Sequence, residues 1–151
     1  MAMKHYIIDG NNLIGKIKSL RQLQNKSGQA SREKLAFMVD KYFYGKKVQV
    51  TLHFDGFKDL AINTSKLKIH YSEKRTADDL IKHQIEMENN PRLITLISSD
   101  SNLVQFAKVC RCEVISSEDF ARELTEKNVA DEDEEKKKSI GTDEIKRLFG
   151  L

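Results

Sequence analysis

Short runs of strand-forming residues alternate along this chain with helix-length segments, and three of the strands run out at an aspartate. The first run, residues 5–8, ends in Asp9-Gly10-Asn11-Asn12. Residues 48–54 alternate apolar and polar side chains, as a half-buried strand does, and end in Asp55-Gly56. Leu67–Tyr71 predicts a third strand. Residues 93–97 are nearly all apolar, which suits a buried central strand, and Ser98-Ser99-Asp100 follows them. Glu113–Ile115 predicts a short fifth. Helices are expected over 12–23, over 31–44 with Ser31 as cap, over 76–89 up to Asn90-Pro91, over 101–109 and over 117–126. The apolar stripe of the second of these, Leu35, Met38, Val39, Tyr42 and Phe43, continues to Tyr44, which is expected in the core.

Strands separated by helices of this length imply right-handed crossovers, hence an α/β fold whose mostly parallel sheet carries helices on both faces. Ligands of such sheets bind beyond the carboxyl ends of the strands, where the strand order reverses. Asp9, Asp55 and Asp100 fall at that edge, and Asp78 and Asp79 open the helix that starts at Thr76. At about 100° per residue, Ala77, Ile81 and Ile85 define the buried face of that helix. Asp78 then lies at its margin and can reach a cleft, whereas Asp79 points away. Each acid also has a plain structural reading, because Asp is favoured in turns and at helix starts. Together on one edge they would repel unless neutralised, and a divalent cation does that economically. Oxygen-only ligands select a hard ion, Mg²⁺ or Mn²⁺, which can polarise a phosphate and activate water.

The 151 residues suit one domain, expected over 1–127, followed by a charged linker and short C-terminal helix over 128–151. No apolar run approaches the roughly 20 residues that span a bilayer, and the amino terminus does not read as a secretory signal. A cytoplasmic location is expected, with no membrane partner. Cys110 and Cys112 read as ordinary thiols, since a lone Cys-x-Cys lacks the second pair of a zinc site. The net charge of +3 is small, but Lys16, Lys18, Arg21, Lys26, Arg32 and Lys34 crowd a stretch containing one acid, Glu33. Such asymmetry permits a nucleic-acid surface without requiring one. The four histidines lack metal-ligand spacing, and no catalytic role is assigned to them.

The opening stretch, Tyr6-Ile7-Ile8-Asp9-Gly10-Asn11-Asn12-Leu13-Ile14-Gly15, resembles that of NYN domains, a branch of the PIN-like nuclease superfamily. It is most similar to the YacP-like group. Phe54-Asp55-Gly56, Thr76-Ala77-Asp78 and Ser98-Ser99-Asp100 match the later motifs in order, so the likeness covers 4–126. It implies a three-layer α/β/α PIN-like fold and Mg²⁺- or Mn²⁺-dependent cleavage of RNA by a metal-activated water. By motif, Asp9, Asp78 and Asp100 would be the principal metal-site acids with Asp55 supporting. Asn11 would orient an acid or contact phosphate. Ser99 and Asn102 would bind RNA beside Asp100. Lys16, Arg21, Lys74 and Arg75 are candidate phosphate contacts, and Phe57 and Tyr71 candidate stacking platforms. An aspartate-nucleophile phosphatase would need a second acid where Asn11 stands, and the Gly-x-Gly-x-x-Gly of dinucleotide binding is missing. The serious alternative is a catalytically silent RNA-binding or adaptor module on the same fold.

Overall fold

The computed structural model describes residues 3–148. All five strands pair in parallel in the order β3-β2-β1-β4-β5, where β1 is His5–Asp9, β2 Gln49–Phe54, β3 Leu67–Tyr71, β4 Ile94–Ile97 and β5 Glu113–Ile115. The chain steps outward from β1 to β2 and β3, then returns to β4 on the other flank of β1. The order therefore reverses between β1 and β4, and their carboxyl ends form the switch point.

Alternation along the strands builds two cores. Ile8, Val50, Leu52, Phe54 and Ile97 face one side and pack with α1 (Gly10–Ile14), α2 (Lys18–Lys26), α3 (Gly28–Phe43) and α6 (Ser117–Leu148). Ile7, Ile94 and Leu96 face the other side, against Ile81 and Ile85 of α4 (Ala77–Glu86) and Leu103 and Ala107 of α5 (Ser101–Val109). This is the expected three-layer α/β/α sandwich. Each side chain so enclosed contributes roughly 1.5–3 kcal/mol through loss of water contact. Among the described residues, no helix is long and apolar enough to cross a membrane.

Several local expectations are corrected. The helix predicted over 12–23 is two helices: α1 closes at Gly15, and Ile17, extended at φ −115°, restarts the chain as α2 so that Leu20 reaches the core. Ser27, not Ser31, caps α3, its Oγ accepting from the Ala30 N–H at 3.1 Å. Ser31 is buried, and its hydroxyl donates to the Leu20 carbonyl, joining α3 to α2. Tyr44 is outside the core, 78% exposed, because the helix ends at Phe43 and the backbone turns away. Helix α4 stops at Glu86 rather than 89, leaving Met87 exposed, and residues 91–93 form a 3₁₀ turn instead of the first residue of β4.

The stretch predicted as a charged linker is helical: α6 runs unbroken from Ser117 to Leu148. Residues 128–139 contain neither Gly nor Pro and are rich in Glu and Lys, which favour helix without any buried face. An ion pair of Lys41 with Asp131 at 3.5 Å and a bond from Lys127 Nζ to the Tyr42 carbonyl fasten α6 to α3. The end of the predicted C-terminal helix, residues 149–151, lies outside the described residues.

Candidate active site

Asp9 is both the last residue of β1 and the cap position of α1, so its side chain is delivered to the switch point by the strand itself. The turn that follows it is tight. A Cβ on Gly10 would stand 2.5 Å from the His53 carbonyl oxygen and 2.8 Å from the Phe54 ring. Only glycine lets α1 start this close to β2.

The two asparagines after Gly10 reach to opposite sides of the switch point. Asn11 Oδ1 accepts from the Asp55 N–H at 2.9 Å, fixing the end of β2. Asn12 Oδ1 accepts from the Ser99 N–H at 2.9 Å and from the buried Ser117 hydroxyl at 2.6 Å, fixing the end of β4 and the start of α6. One dipeptide thus sets the spacing of three chain segments around Asp9. Asn11 thus holds the backbone of Asp55 rather than its carboxylate.

Ser98, fully buried, donates its hydroxyl to Asp9 Oδ2 at 3.0 Å and accepts from the Asp100 N–H at 3.1 Å. Despite this bond, burial pushes the Asp9 carboxyl up to about 6, and the negative charges of Asp55 and Asp100 add to the rise. The structure therefore brings Asp9, Asp55 and Asp100 within electrostatic reach of one another. An acid raised in this way, next to other acids at a switch point, makes this edge the candidate functional site.

The four predicted acids do not close into a ready-made cage. Among the described residues, no three His, Cys, Asp or Glu side chains converge closely enough to hold a metal ion. The reason is local hydrogen bonding, which each outer acid has found. Asp55 Oδ1 accepts from the Ala77 N–H at 2.8 Å, at the start of α4. Asp100 Oδ1 caps α5 through the Leu103 N–H at 3.0 Å. Asp78 Oδ2 pairs with Lys82 at 3.1 Å, although its Oδ1 is buried without any partner. Asp79 is exposed, in keeping with its predicted helical phase. The donor set nonetheless suits a hard divalent cation: it is all oxygen, its central carboxylate is raised by burial and by neighbouring acids, and one oxygen of Asp78 is unspent. Such ions commonly take one or two carboxylates and complete their shell with water.

Of the predicted RNA contacts, Lys74 and Arg75 are exposed in the loop entering α4, beside Thr76 and Asp78. Arg21 is exposed on α2, and Asn102 on the first turn of α5. Lys16 is exposed but engaged, 3.1 Å from Glu118. Ser99 is also committed: its hydroxyl bonds Glu118 and accepts from the Ser117 N–H. The Ser99 hydroxyl, the Glu118 backbone N–H and Lys16 pull the Glu118 carboxyl down to about 2. Phe57 is exposed beside the site, whereas Tyr71 is partly covered by the Arg32 guanidinium.

Arg32 stands in the sequence only as one charge of the early basic stretch, with no sign of a part in the site. Its guanidinium donates to the carbonyls of Asp55 and Phe57 and lies over the Phe54 and Tyr71 rings. It clamps the loop carrying Asp55 from the α3 side, while Ser72 Oγ accepts from the Gly56 N–H on the other. Asn12, Ser98, Ser117 and Glu118 were likewise unassigned. The repeated Asn and Ser residues in the acidic turns were the available signal.

Comparison with known proteins agrees with the fold. A crystal structure of Rae1 (YacP) from Bacillus subtilis has a TM-score of 0.72 at 21% identity, covering 99% of this chain and 88% of that one. A tryptophan-to-leucine variant of the same protein also gives 0.72, at 20% identity, over 93% and 85%. These likenesses establish the fold. No curated protein matches the sequence. The sequence model of the YacP-like NYN domain matches residues 6–148, through the whole site and along α6, and the chain belongs to that family.

Proposed function

We propose that this protein is a metal-dependent endoribonuclease that hydrolyses RNA phosphodiester bonds at the Asp9 edge, with Mg²⁺ or Mn²⁺ as its ion. The observation that supports this best is the placement of Asp9, half-buried at the switch point and bonded by Ser98, its carboxyl raised by burial with Asp55 and Asp100 adding negative charge. Asp9 would hold the ion, with Asp100, Asp55 and the unspent oxygen of Asp78 as the further candidate donors. Bound there, the ion supplies charge stabilisation at phosphate and a more acidic water. Hydrolysis joins the water oxygen to phosphorus and breaks the bond to the leaving ribose oxygen, so no covalent enzyme intermediate is needed.

The chain's own residues position the reactants. Ser98 holds the Asp9 carboxylate, Asn11 and Arg32 hold the Asp55 loop, and Asn12 holds the Ser99 turn. Lys74 and Arg75 offer backbone phosphate contacts at the rim, Arg21 lies on the α2 flank, and exposed Phe57 offers a face to a base. Free Cys110 and Cys112 suit a reducing cytoplasmic setting.

The test is cleavage of a labelled single-stranded RNA with Mn²⁺ or Mg²⁺, comparing wild type with Asp9→Asn. Cleavage that needs the ion and is lost in Asp9→Asn supports the proposal, and equal cleavage by both proteins refutes it. The absence of a preformed three-acid cage among the described residues favours one other reading, a silent RNA-binding module. Metal-independent RNA binding with no cleavage in either ion would establish that reading instead.

A further inference from the structure

All four histidines of the chain line one groove on the α4 side of the sheet. It encloses about 690 Å³, within the range of small-ligand sites. It exists because α4 packs over β1 and β2 and leaves the same face of the edge strand β3 uncovered, with Lys68 and His70 exposed. Alternation on β3 sends Leu67, Ile69 and Tyr71 into the core under α3 and turns Lys68 and His70 into this groove. The groove runs from His53, two residues before Asp55 on β2, toward the amino ends of the strands at His5 and Ile94.

Its floor is a hydrogen-bonded chain. Thr51 Oγ1 is 2.6 Å from His5 Nε2, Gln84 Nε2 donates to Thr51 Oγ1 at 3.1 Å, and Gln84 Oε1 is 2.7 Å from His53 Nε2. The amide oxygen can only accept, so His53 carries its proton on Nε2. Its Nδ1 is then a bare acceptor. His53 is 3% exposed, and that nitrogen has no partner. Outside it, exposed His70 stacks on His53 with ring centroids 5.4 Å apart, presenting a planar face. Lys66 and Lys68 stand on the β3 side, opposed by one acid, Glu88, while Leu80, Met87 and Ile94 supply apolar wall. The imidazoles do not form a metal site, since no three such side chains converge among the described residues.

A planar face, two lysines and a polar floor match a ligand that is aromatic at one end and anionic at the other. We propose that this groove binds a nucleoside phosphate, its base against His70 and its phosphate on Lys66 and Lys68. Two sources carry this chemistry: a free mononucleotide, and a nucleotide of an RNA strand that continues past the acid edge. The proposal rests on the groove alone and does not require hydrolysis at Asp9.

The experiment follows the four imidazole signals of the full-length wild-type protein by NMR, in chelator so that no cleavage occurs. The probes are the four nucleoside 5′-monophosphates, a 5′-hydroxyl RNA hexamer and inorganic phosphate. Saturable shifts of His70 and His83 below about 1 mM, weaker with inorganic phosphate, are expected. Lys68→Glu and His70→Ala, both exposed on the edge strand, should weaken binding at least about tenfold, whereas Asp9→Asn should retain it. Saturation by monophosphates identifies a free nucleotide as sufficient, and saturation by the hexamer alone identifies the strand. No shift up to about 10 mM with any probe, or equal affinity for inorganic phosphate, overturns the proposal.

Discussion

Replacing Asp9 with Asn should destroy cleavage and at the same time stabilise the metal-free fold. Unfolded, Asp9 titrates at its ordinary 3.8, whereas in the folded protein burial and the neighbouring acids raise it to about 6. Between those values the native protein holds a proton that the unfolded chain has released. Stability therefore falls as pH rises through this window, and the full penalty is present above about 6. At about 1.4 kcal/mol for each pH unit separating the two states, the penalty is about 3 kcal/mol. For a chain of this size that corresponds to roughly 6–12 °C in Tm. Asparagine is nearly the same shape and keeps an oxygen to accept from the Ser98 hydroxyl, so the exchange removes charge without opening a cavity. The assay is urea unfolding of both proteins in chelator at pH 7.5 and again near pH 4. The variant should be the more stable at pH 7.5, with the gap shrinking toward pH 4 as wild-type Asp9 takes up its proton. Added Mg²⁺ or Mn²⁺ should raise the wild-type midpoint and leave the variant's unchanged. A variant less stable than wild type at pH 7.5, or a gap indifferent to pH, would refute the electrostatic account of the site.

Gly10→Ala forces a Cβ within 2.5 Å of the His53 carbonyl, and should cost about 3 kcal/mol or prevent folding, as read by thermal unfolding. Asn12→Ala leaves the Ser99 N–H and the Ser117 hydroxyl without their acceptor, which should lower stability by about 2–4 kcal/mol in urea titrations. Replacing Lys74 and Arg75 together with Ala should weaken RNA binding and flatten the salt dependence of log K by about 1.4; an unchanged slope would exclude both from phosphate contact. Glu118→Gln should free Lys16, and the RNA affinity then measured at low salt should rise if Lys16 faces the substrate.

The alternation of strand and helix signals was enough to specify an α/β fold with parallel strands, because a short parallel connection has no other way to return the chain. It also placed Asp9, Asp55 and Asp100 on one edge, since the carboxyl ends of parallel strands point the same way. The phase of α4 separated Asp78 from Asp79, because helical periodicity is local. What failed was equally local in appearance but decided by packing. Nothing near Tyr44 says that the chain leaves the helix one residue earlier, and Ser27 and Ser31 are equivalent as caps until Leu20 offers a buried carbonyl to one of them. The charge-rich tail read as a linker because it carries no apolar stripe, yet a helix already anchored on α3 continues through residues that favour helix. The site's supporting bonds, Asn12 to Ser117 across 105 positions and Arg32 to Asp55 across 23, exist only once the sheet has assembled. So do the meeting of four scattered histidines in one groove and the raised Asp9 carboxyl. Residue types and local periods belong to the sequence, whereas desolvation and long-range partners depend on which surfaces the tertiary fold brings face to face.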